Sequence, residues 1–227
     1  MLCWEDLPEN MKNESVRYYY DILRKKKLSI LLKRGGDIVL SLVLLILLSI
    51  PMAVISILIK CDSPGGIFFK QTRITQYGRK FRIFKFRTMV KNAQNLGPQV
   101  TLKEDMRITR VGRLIRKLRL DELPQLINVF LGEMSFVGTR PEMPIYVSKY
   151  TDKMMATLLL PAGVTSLASI KFKDESEILD KFDDTEKAYV EAVLPQKMEF
   201  NLEYIEKFNF FYDIKIMFMT VIAVLKK

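Results

Sequence analysis

An uncharged apolar segment, residues 38–59, limits the possible folds of this chain more than any other feature of its sequence. It lies between Asp37 and Lys60 and is long enough for a helix that crosses a bilayer core of about 30 Å. Ser49 and Pro51 interrupt it near the middle, where proline removes a backbone hydrogen bond and bends a helix. The segment therefore predicts either a kinked spanning helix or a broken helix that enters one leaflet and returns.

Basic residues flank this apolar segment on both sides. Residues 25–34 precede it with several lysines and arginines, and the stretch from Lys60 to Arg87 follows with more. Positively charged flanks tend to stay in the cytoplasm, so both ends are expected on the same side of the membrane. Proline kinks also occur in true spanning helices, however, so the residues alone leave both arrangements open.

The charge balance of the whole chain narrows the possible chemistry. The 227 residues carry a formal net charge of +10, which fits nucleic acid, an anionic membrane face or a phosphorylated substrate. Histidine is absent, which excludes Ser-His and Cys-His nucleophiles and imidazole-based zinc sites. Cys3 and Cys61 are isolated, which indicates a reducing cytosolic setting. Residues 1–28 are polar, show no signal-peptide pattern, and are expected to form a cytosolic leader.

An adjacent acid pair, Asp121-Glu122, lies in the otherwise basic stretch of residues 116–140. Pro124 follows the pair, and an apolar pattern typical of a helix follows the proline. Because proline is tolerated only in the first turn of a helix, we expect the helix to begin at or near Asp121. The start of a helix favours both carboxylates and phosphates. The pair is therefore either a charged helix cap or a carboxylate nucleophile that attacks phosphorus among neighbouring cations.

Two short strands are predicted after the apolar segment, over residues 67–71 and 81–87. A turn at Tyr77-Gly78 separates them, and the second strand alternates apolar with basic residues. This alternation favours a half-buried strand with a solvated basic face, while a surface on which nucleic-acid bases stack is the alternative.

The remaining segments receive simpler predictions. Residues 107–120 and 188–208 are expected to form helices, the second interrupted near Pro195. Polar loops are expected over residues 92–101 and 161–166, and residues 172–184 form an acidic, polar segment. The tail, residues 210–225, is predicted to form a helix that lies on the membrane surface or packs on the core.

Five motifs occur in order along the chain. They are Lys33-Arg34 with Asp37; Ser63-Pro64-Gly65 with Ile67–Gln71 and Arg73; Phe84–Met89; Leu120–Leu126; and Gly132–Gly138 leading to Arg140-Pro141. Together they closely resemble the motifs of the bacterial sugar transferases known as monotopic phosphoglycosyl transferases. Those enzymes initiate the synthesis of capsule, exopolysaccharide, O-antigen and related glycans. The resemblance covers nearly the whole chain from Lys33 onward.

The resemblance implies a reaction and roles for its residues. A sugar 1-phosphate would pass from a UDP-sugar to polyprenyl (undecaprenyl) phosphate, with release of UMP. Asp121 would be the nucleophile and would form an aspartyl-phosphosugar intermediate. Glu122 would assist, and both acids would meet a Mg²⁺ cofactor. Lys85, Arg116 and Arg140 match the family's basic positions and are expected to contact phosphate, while an ordinary strand charge at Lys85 and a solvated helix charge at Arg116 are the alternatives.

The resemblance also implies the architecture and location. We expect a predominantly helical α+β fold with short strands and amphipathic interfacial helices. Residues 29–60 would form a re-entrant membrane helix broken at Ser49 and Pro51, and residues 61–227 a cytosolic, membrane-associated catalytic domain. The expected site of action is the cytoplasmic face of the bacterial inner membrane, in contact with lipids of that leaflet and not with nucleic acid.

Three departures from the family pattern deserve note. Ile50 separates Ser49 from Pro51, Thr139 replaces the usual proline before Arg140, and residues 161–169 differ from the commoner PGITGWAQV form. The sequence leaves open which sugar is transferred, which glycan is made and whether the chain forms a homodimer. A membrane-tethered nucleic-acid-binding or regulatory protein, and a single-span structural protein, remain the alternative functions.

Overall fold

A computed structural model describes residues 1–93, 105–173, 175, 182 and 184–225. The loop predicted over residues 92–101 lies almost wholly outside this set, as does most of the acidic segment 172–184. Within the described residues, helices predominate and two small sheets accompany them. The expected predominantly helical α+β class is therefore confirmed.

Three helices form the N-terminal part of the chain: α1 (Glu14–Arg24), α2 (Lys27–Leu47) and α3 (Ser49–Asp62). Among the described residues, no single helix is long and apolar enough to cross a membrane. Helices α2 and α3 meet that requirement of length and composition only as a pair, and a bend of 60° separates them. Re-entry of this pair into one leaflet stays a prediction.

The bend has a local explanation in the backbone. Leu48, between the two helices, has φ −93° and ψ 5°, outside the regular helical region. The Ser49 hydroxyl donates a hydrogen bond to the Ile46 carbonyl at 2.7 Å, which occupies an oxygen at the end of α2. Pro51 is the third residue of α3, in the first turn, where a missing N–H costs little. The break thus lies at Leu48, directly before Ser49.

Two separate two-stranded sheets follow. Strands β1 (Phe68–Ile74) and β2 (Lys80–Phe86) form an antiparallel hairpin in which Phe68 pairs with Phe86 and Ile74 with Lys80. Strands β3 (Met134–Val137) and β4 (Ala162–Thr165) pair in parallel. The prediction of a loop over residues 161–166 was therefore wrong, because a four-residue strand carries too little periodicity to be recognised without its partner.

Eight further helices complete the described chain. They are α4 (Arg110–Lys117), α5 (Gln125–Leu131), α6 (Pro144–Val147), α7 (Asp152–Met155), α8 (Leu167–Lys171), α9 (Thr185–Ala188), α10 (Leu194–Lys207) and α11 (Phe210–Leu225). A π-helical turn, Tyr189–Val193, joins α9 to α10. The predicted interruption near Pro195 therefore takes the form of this turn, and Pro195 itself lies in the first turn of α10.

The N-terminal residues belong to the main hydrophobic core. Helix α1 buries Val16, Tyr19, Tyr20 and Leu23, which share one face because they are three or four residues apart. They pack in one cluster with the α10 side chains, among them Ile205. The polar composition of residues 1–28 concealed this apolar stripe, and the expected leader is an integral part of the core.

A buried charge network joins the bent α2–α3 pair to the rest of the fold. The Lys33 ammonium on α2 donates to the Asp213 carboxylate on α11 at 2.6 Å and to the Val137 carbonyl at 2.6 Å. The Tyr204 hydroxyl donates to the second Asp213 oxygen at 2.7 Å. The Asp37 carboxylate accepts a hydrogen bond from the Phe136 N–H at 3.1 Å. Helix α2 is thus tied to α11 and to β3 by polar contacts away from water.

Candidate active site

The acid pair lies in a 3₁₀ turn, Leu120–Glu122, between α4 and α5. Helix α5 begins at Gln125, four residues later than the predicted start at or near Asp121. The reason is Pro124, which has no N–H to donate to the Leu120 carbonyl. The Leu123 N–H donates to that carbonyl instead, at 3.2 Å, and closes a tighter turn. Asp121 therefore lies one turn ahead of the α-helix rather than within it.

Asn128, a buried residue of α5, holds this turn beside the strand that carries Lys85. Its side-chain N–H₂ donates to the Arg82 carbonyl at 2.9 Å, and its oxygen accepts from the Phe84 N–H at 3.0 Å. These bonds satisfy backbone groups of β2 that have no strand on that side. Sequence reasoning missed Asn128, although an amide within the apolar run of residues 126–131 was a usable signal.

Glu122 brings together two of the predicted basic residues. One carboxylate oxygen accepts from the Lys85 ammonium at 2.8 Å and from the Arg140 guanidinium at 2.6 Å. Burial alone would raise the pKa of Glu122, but Arg140 and Lys85 outweigh burial and hold it well below its usual range. Glu122 in turn raises the pKa of Arg140, while burial lowers that of Lys85 against the opposing effect of Glu122.

Asp121 has a different environment from its neighbour. Among the described residues, no side chain donates a hydrogen bond to its carboxylate. Burial, and then repulsion from Glu122, raise the pKa of Asp121, while Lys85 and Arg116 oppose the rise. Two adjacent carboxylates therefore have pKa values pushed in opposite directions, a pattern that separates roles in catalytic sites.

Asp121 lines a cleft of about 500 Å³ between the β1–β2 hairpin, the segment after β2 and α4. Of the described residues that line this cleft, Asp121 is the one acid and seven are basic. The basic residues are Lys70, Arg73, Lys85, Arg87, Lys91, Arg107 and Arg116. Such an excess of cations suits a ligand with several negative charges, such as a diphosphate. Arg140 approaches Glu122 but is not among the described lining residues, so its contact with phosphate stays a prediction.

Arg87 supports the wall of this cleft. Its guanidinium donates to the carbonyls of Ser63 and Pro64, each at 2.7 Å, just beyond the end of α3. Gly65 has φ +134°, and a Cβ there would lie 1.9 Å from an Arg87 nitrogen. The positive φ and the close approach of Arg87 therefore favour glycine where the chain passes from the end of α3 to the hairpin.

A close crossing of two backbones directs Arg140. A Cβ on Gly138 would lie 2.4 Å from the Pro161 carbonyl oxygen, and one on Gly163 would lie 2.1 Å from the Gly138 nitrogen. The Gly163 N–H also donates to the Thr139 carbonyl at 2.8 Å. The chain before Arg140 is thus fixed by pairing with β4, although Thr139 replaces the family's usual proline.

The acid pair offers carboxylate oxygens that could serve as ligands of Mg²⁺. Within the part of the chain that the structure describes, no group of three or more potential ligand side chains could hold a metal. Mg²⁺ commonly uses one or two carboxylates together with waters and substrate phosphates, so such a group is not required. Glu122 commits one oxygen to Lys85 and Arg140. Asp121 and the other Glu122 oxygen are therefore the carboxylate atoms suited to a phosphate-bound ion.

The aromatic residues of β2 serve mainly the core. Phe81 and Phe86 are 7% and 1% exposed, so neither ring is available to stack on a nucleic-acid base. Phe84 is half-buried, and the Lys70 ammonium lies 4.7 Å from its ring centroid. The alternation in this strand reflects a half-buried hairpin.

Comparison with known proteins gives a consistent result. The family described as bacterial sugar transferase matches residues 28–227. A UDP-N-acetylgalactosamine-undecaprenyl-phosphate N-acetylgalactosaminephosphotransferase of Aeromonas hydrophila is 36% identical over 86% of this chain and 44% of its own length. A UDP-glucose:undecaprenyl-phosphate glucose-1-phosphate transferase of Escherichia coli (strain K12) is 37% identical over 84% of this chain and 39% of its own. The exopolysaccharide production protein PSS of Rhizobium leguminosarum bv. phaseoli is 33% identical over 88% of this chain and 98% of its own length.

Proposed function

The chain belongs to the bacterial sugar transferase family, and we propose that it transfers a sugar 1-phosphate from a UDP-sugar to undecaprenyl (polyprenyl) phosphate. One observation carries the proposal: the Asp121 carboxylate, without a side-chain partner among the described residues, lines a cleft dominated by cations. The names of the Aeromonas and Escherichia relatives support the substrate classes. This chain spans less than half of those two proteins, so the assignment to this chain is ours.

The proposed reaction has two displacement steps at one phosphorus atom. In the first, an Asp121 oxygen attacks the β-phosphorus of the UDP-sugar, the bond from that phosphorus to the bridging oxygen breaks, and UMP leaves. The product is an acyl phosphate between Asp121 and the sugar. In the second, an oxygen of the lipid phosphate attacks the same phosphorus and the Asp121 carboxylate leaves. The lipid then carries a diphosphate-linked sugar.

The neighbouring residues have complementary roles in this proposal. Lys85 and Arg116 line the cleft and reduce the repulsion between an anionic nucleophile and an anionic diphosphate. Glu122 holds Lys85 and Arg140 in position through its two ion pairs. When bound, Mg²⁺ would supply positive charge that offsets the negative charge of the diphosphate and of the departing UMP. Asp121 and the other Glu122 oxygen would be its protein contacts.

The proposed location is the cytoplasmic face of the bacterial inner membrane. The bent α2–α3 pair exposes large apolar side chains, including Ile46 at 65% and Ile50 at 76%. Helix α11 exposes Phe211 at 78% and Phe218 at 67%, which suits a helix that lies on the same leaflet. The acceptor keeps its phosphate at the interface, where an enzyme seated in one leaflet can reach it. The name of the Rhizobium relative supports a role in exopolysaccharide synthesis.

Trapping of the covalent intermediate tests the proposal. The purified chain is incubated with UDP-sugars labelled in the sugar, with Mg²⁺ and without lipid acceptor, and bound label and free UMP are measured. We expect stoichiometric label on the protein, released as lipid-linked sugar when undecaprenyl phosphate is added. Asp121→Asn should take up no label, whereas Asp152→Asn, at an exposed aspartate in α7, should behave like the parent. Undiminished UMP release by Asp121→Asn would refute the proposal.

A further inference from the structure

A second cleft, of about 550 Å³, lies between the first five residues, α1 and the beginning of α2. It shares no lining residue with the Asp121 cleft. Of the described residues that line it, Glu5 is the one acid and four are basic. The basic residues are Arg17, Arg24, Lys27 and Arg34. The proposed reaction does not use this cleft, and its charge calls for an anion.

The aromatic wall of this cleft is built by specific contacts. The Arg17 guanidinium lies 4.7 Å from the Trp4 ring centroid and 5.8 Å from that of Tyr20. The Tyr20 hydroxyl donates to the Leu2 carbonyl at 3.2 Å, and the Leu2 N–H donates to the Tyr77 hydroxyl at 3.0 Å. The first residues of the chain are thereby fastened to α1 and to the turn after β1.

The four cations of the cleft differ in whether other protein groups engage them. Arg17 donates to Asp21 at 3.2 Å, and Arg34 donates to the Val129 and Phe130 carbonyls at 2.8 and 2.9 Å. Arg24 and Lys27 make no ion pair or side-chain hydrogen bond within the described ranges. Two exposed cations that form no ion pair with a described residue therefore remain in the cleft, beside two that other protein groups engage.

The cleft lies beside the beginning of α2, the first helix of the bent α2–α3 pair. Leu31 lines it and is 69% exposed, and Leu28, next to Lys27, is also 69% exposed. Exposed leucines beside cations and a tryptophan are typical of a surface at the level of lipid headgroups. An anionic lipid whose headgroup enters this cleft from the leaflet would place its acyl chains beside those leucines.

We propose that this cleft binds the phosphate of an anionic phospholipid, with Arg24 and Lys27 as its main contacts. Leu28 and Leu31 lie beside the start of the acyl chains. The inference rests on the membrane association in the proposed function but not on the transfer reaction. The site is separate from the cleft that would receive the UDP-sugar.

Lipid-dependent thermal stability of the full chain in detergent micelles tests this assignment. The unfolding midpoint is followed while phosphatidylglycerol, phosphatidylcholine or glycerol 1-phosphate is added. We expect saturable stabilisation by phosphatidylglycerol, and about tenfold weaker apparent affinity in Arg24→Gln/Lys27→Gln, which loses two cations at the surface. The matched control is Lys149→Gln/Lys187→Gln, which removes two cations from a different cleft that also contains Glu186 and Glu191.

The outcomes separate this inference from its alternatives. Equal stabilisation by phosphatidylcholine, or equal weakening in the control variant, would overturn it. Equally tight binding of glycerol 1-phosphate would overturn the assignment to a lipid in favour of a free phosphate. Asp121→Asn should keep the full phosphatidylglycerol response. A chain that responds to this lipid but transfers no sugar would thus contradict the proposed function and leave the present inference intact.

Discussion

Two of the lysine–carboxylate clusters among the described residues differ in access to solvent. In the site cluster, Lys85 and Glu122 lie 2.8 Å apart with side chains 20% and 14% exposed, beside the large cleft. In the anchor cluster, Lys33 and Asp213 lie 2.6 Å apart with side chains 4% and 7% exposed. The site cluster adjoins an acid with no side-chain partner among the described residues. In the anchor cluster, Lys33 and Asp213 both have protein partners.

Solvent access and partners distinguish the roles of charged motif residues in these two clusters. Lys33 and Asp37 belong to the same kind of ordered motif as Asp121 and Glu122, yet they attach α2 to the fold. Charge type alone does not separate chemistry from architecture. An open cleft and a carboxylate without side-chain partners indicate chemistry, whereas buried charges with all their partners present indicate attachment.

Arg34, the neighbour of Lys33 in the chain, links α2 to α5, the helix that follows the acid pair. It donates to the carbonyls of Val129 and Phe130 at 2.8 and 2.9 Å, near the end of α5, where cations are favoured by the helix dipole. The acid pair lies just before the beginning of the same helix. Arg34 therefore helps to set where Asp121 lies relative to α2.

The largest effect is expected on the reaction rate of Asp121→Asn, whose thermal stability should not fall. We expect Asp121→Asn to lower kcat by at least about 10³-fold, which corresponds to roughly 4 kcal/mol of barrier. The same change should leave the unfolding midpoint equal or higher, because burial disfavours the ionised carboxylate. Turnover and thermal unfolding of the same preparation are the measurements. A marked loss of stability would instead assign Asp121 to helix capping.

A substitution in the anchor cluster should instead lower the stability of the protein. Lys33→Met leaves Asp213 charged and unpaired in the interior, which is expected to lower the free energy of unfolding by about 3–5 kcal/mol. Denaturant unfolding in a fixed detergent measures the loss. Lys33→Met/Asp213→Leu should recover much of it, since no unpaired charge remains. Lys153→Met, at an exposed pair with Glu199, is the control and should change little. Equal losses of unfolding free energy in Lys33→Met and Lys153→Met would show that the buried pair matters no more to stability than the exposed one.

A smaller effect is expected at Glu122. Glu122→Gln removes the anion that holds Lys85 and Arg140, so kcat/KM should fall by about 10–100-fold. The reaction needs ionised Asp121, so activity should decline as pH falls through its raised pKa. Loss of the Glu122 charge removes one cause of that rise, and the acid limb should move to lower pH. The pH profiles of both proteins measure this, with Glu122→Asp as the charge-preserving comparison. An unmoved limb would show that the two acids are not coupled.

The sequence marked the candidate residues more clearly than the contacts that hold them in place. The hairpin, the acid pair and the basic residues at 85, 116 and 140 could be recognised because each is marked by local composition or by an ordered motif. The resemblance to bacterial sugar transferases is confirmed by the family match. The strand at residues 162–165 and the packing of α1 in the core were not predicted, because a short parallel strand and a sparse apolar stripe can be recognised only together with their partners. Asn128 and Arg34 were missed as positioning residues for the same reason.

Apolar length, proline and charge are local properties, so the residues alone predict a bent apolar segment followed by a basic domain that carries the acid pair Asp121-Glu122. The hydrogen bonds of two cations to Glu122, and of no described side chain to Asp121, depend on contacts between distant parts of the chain. The two acids are neighbours in the chain and alike in composition. Their difference arises from side chains on β2 and after β3, which folding brings within hydrogen-bond distance of one of them and not of the other.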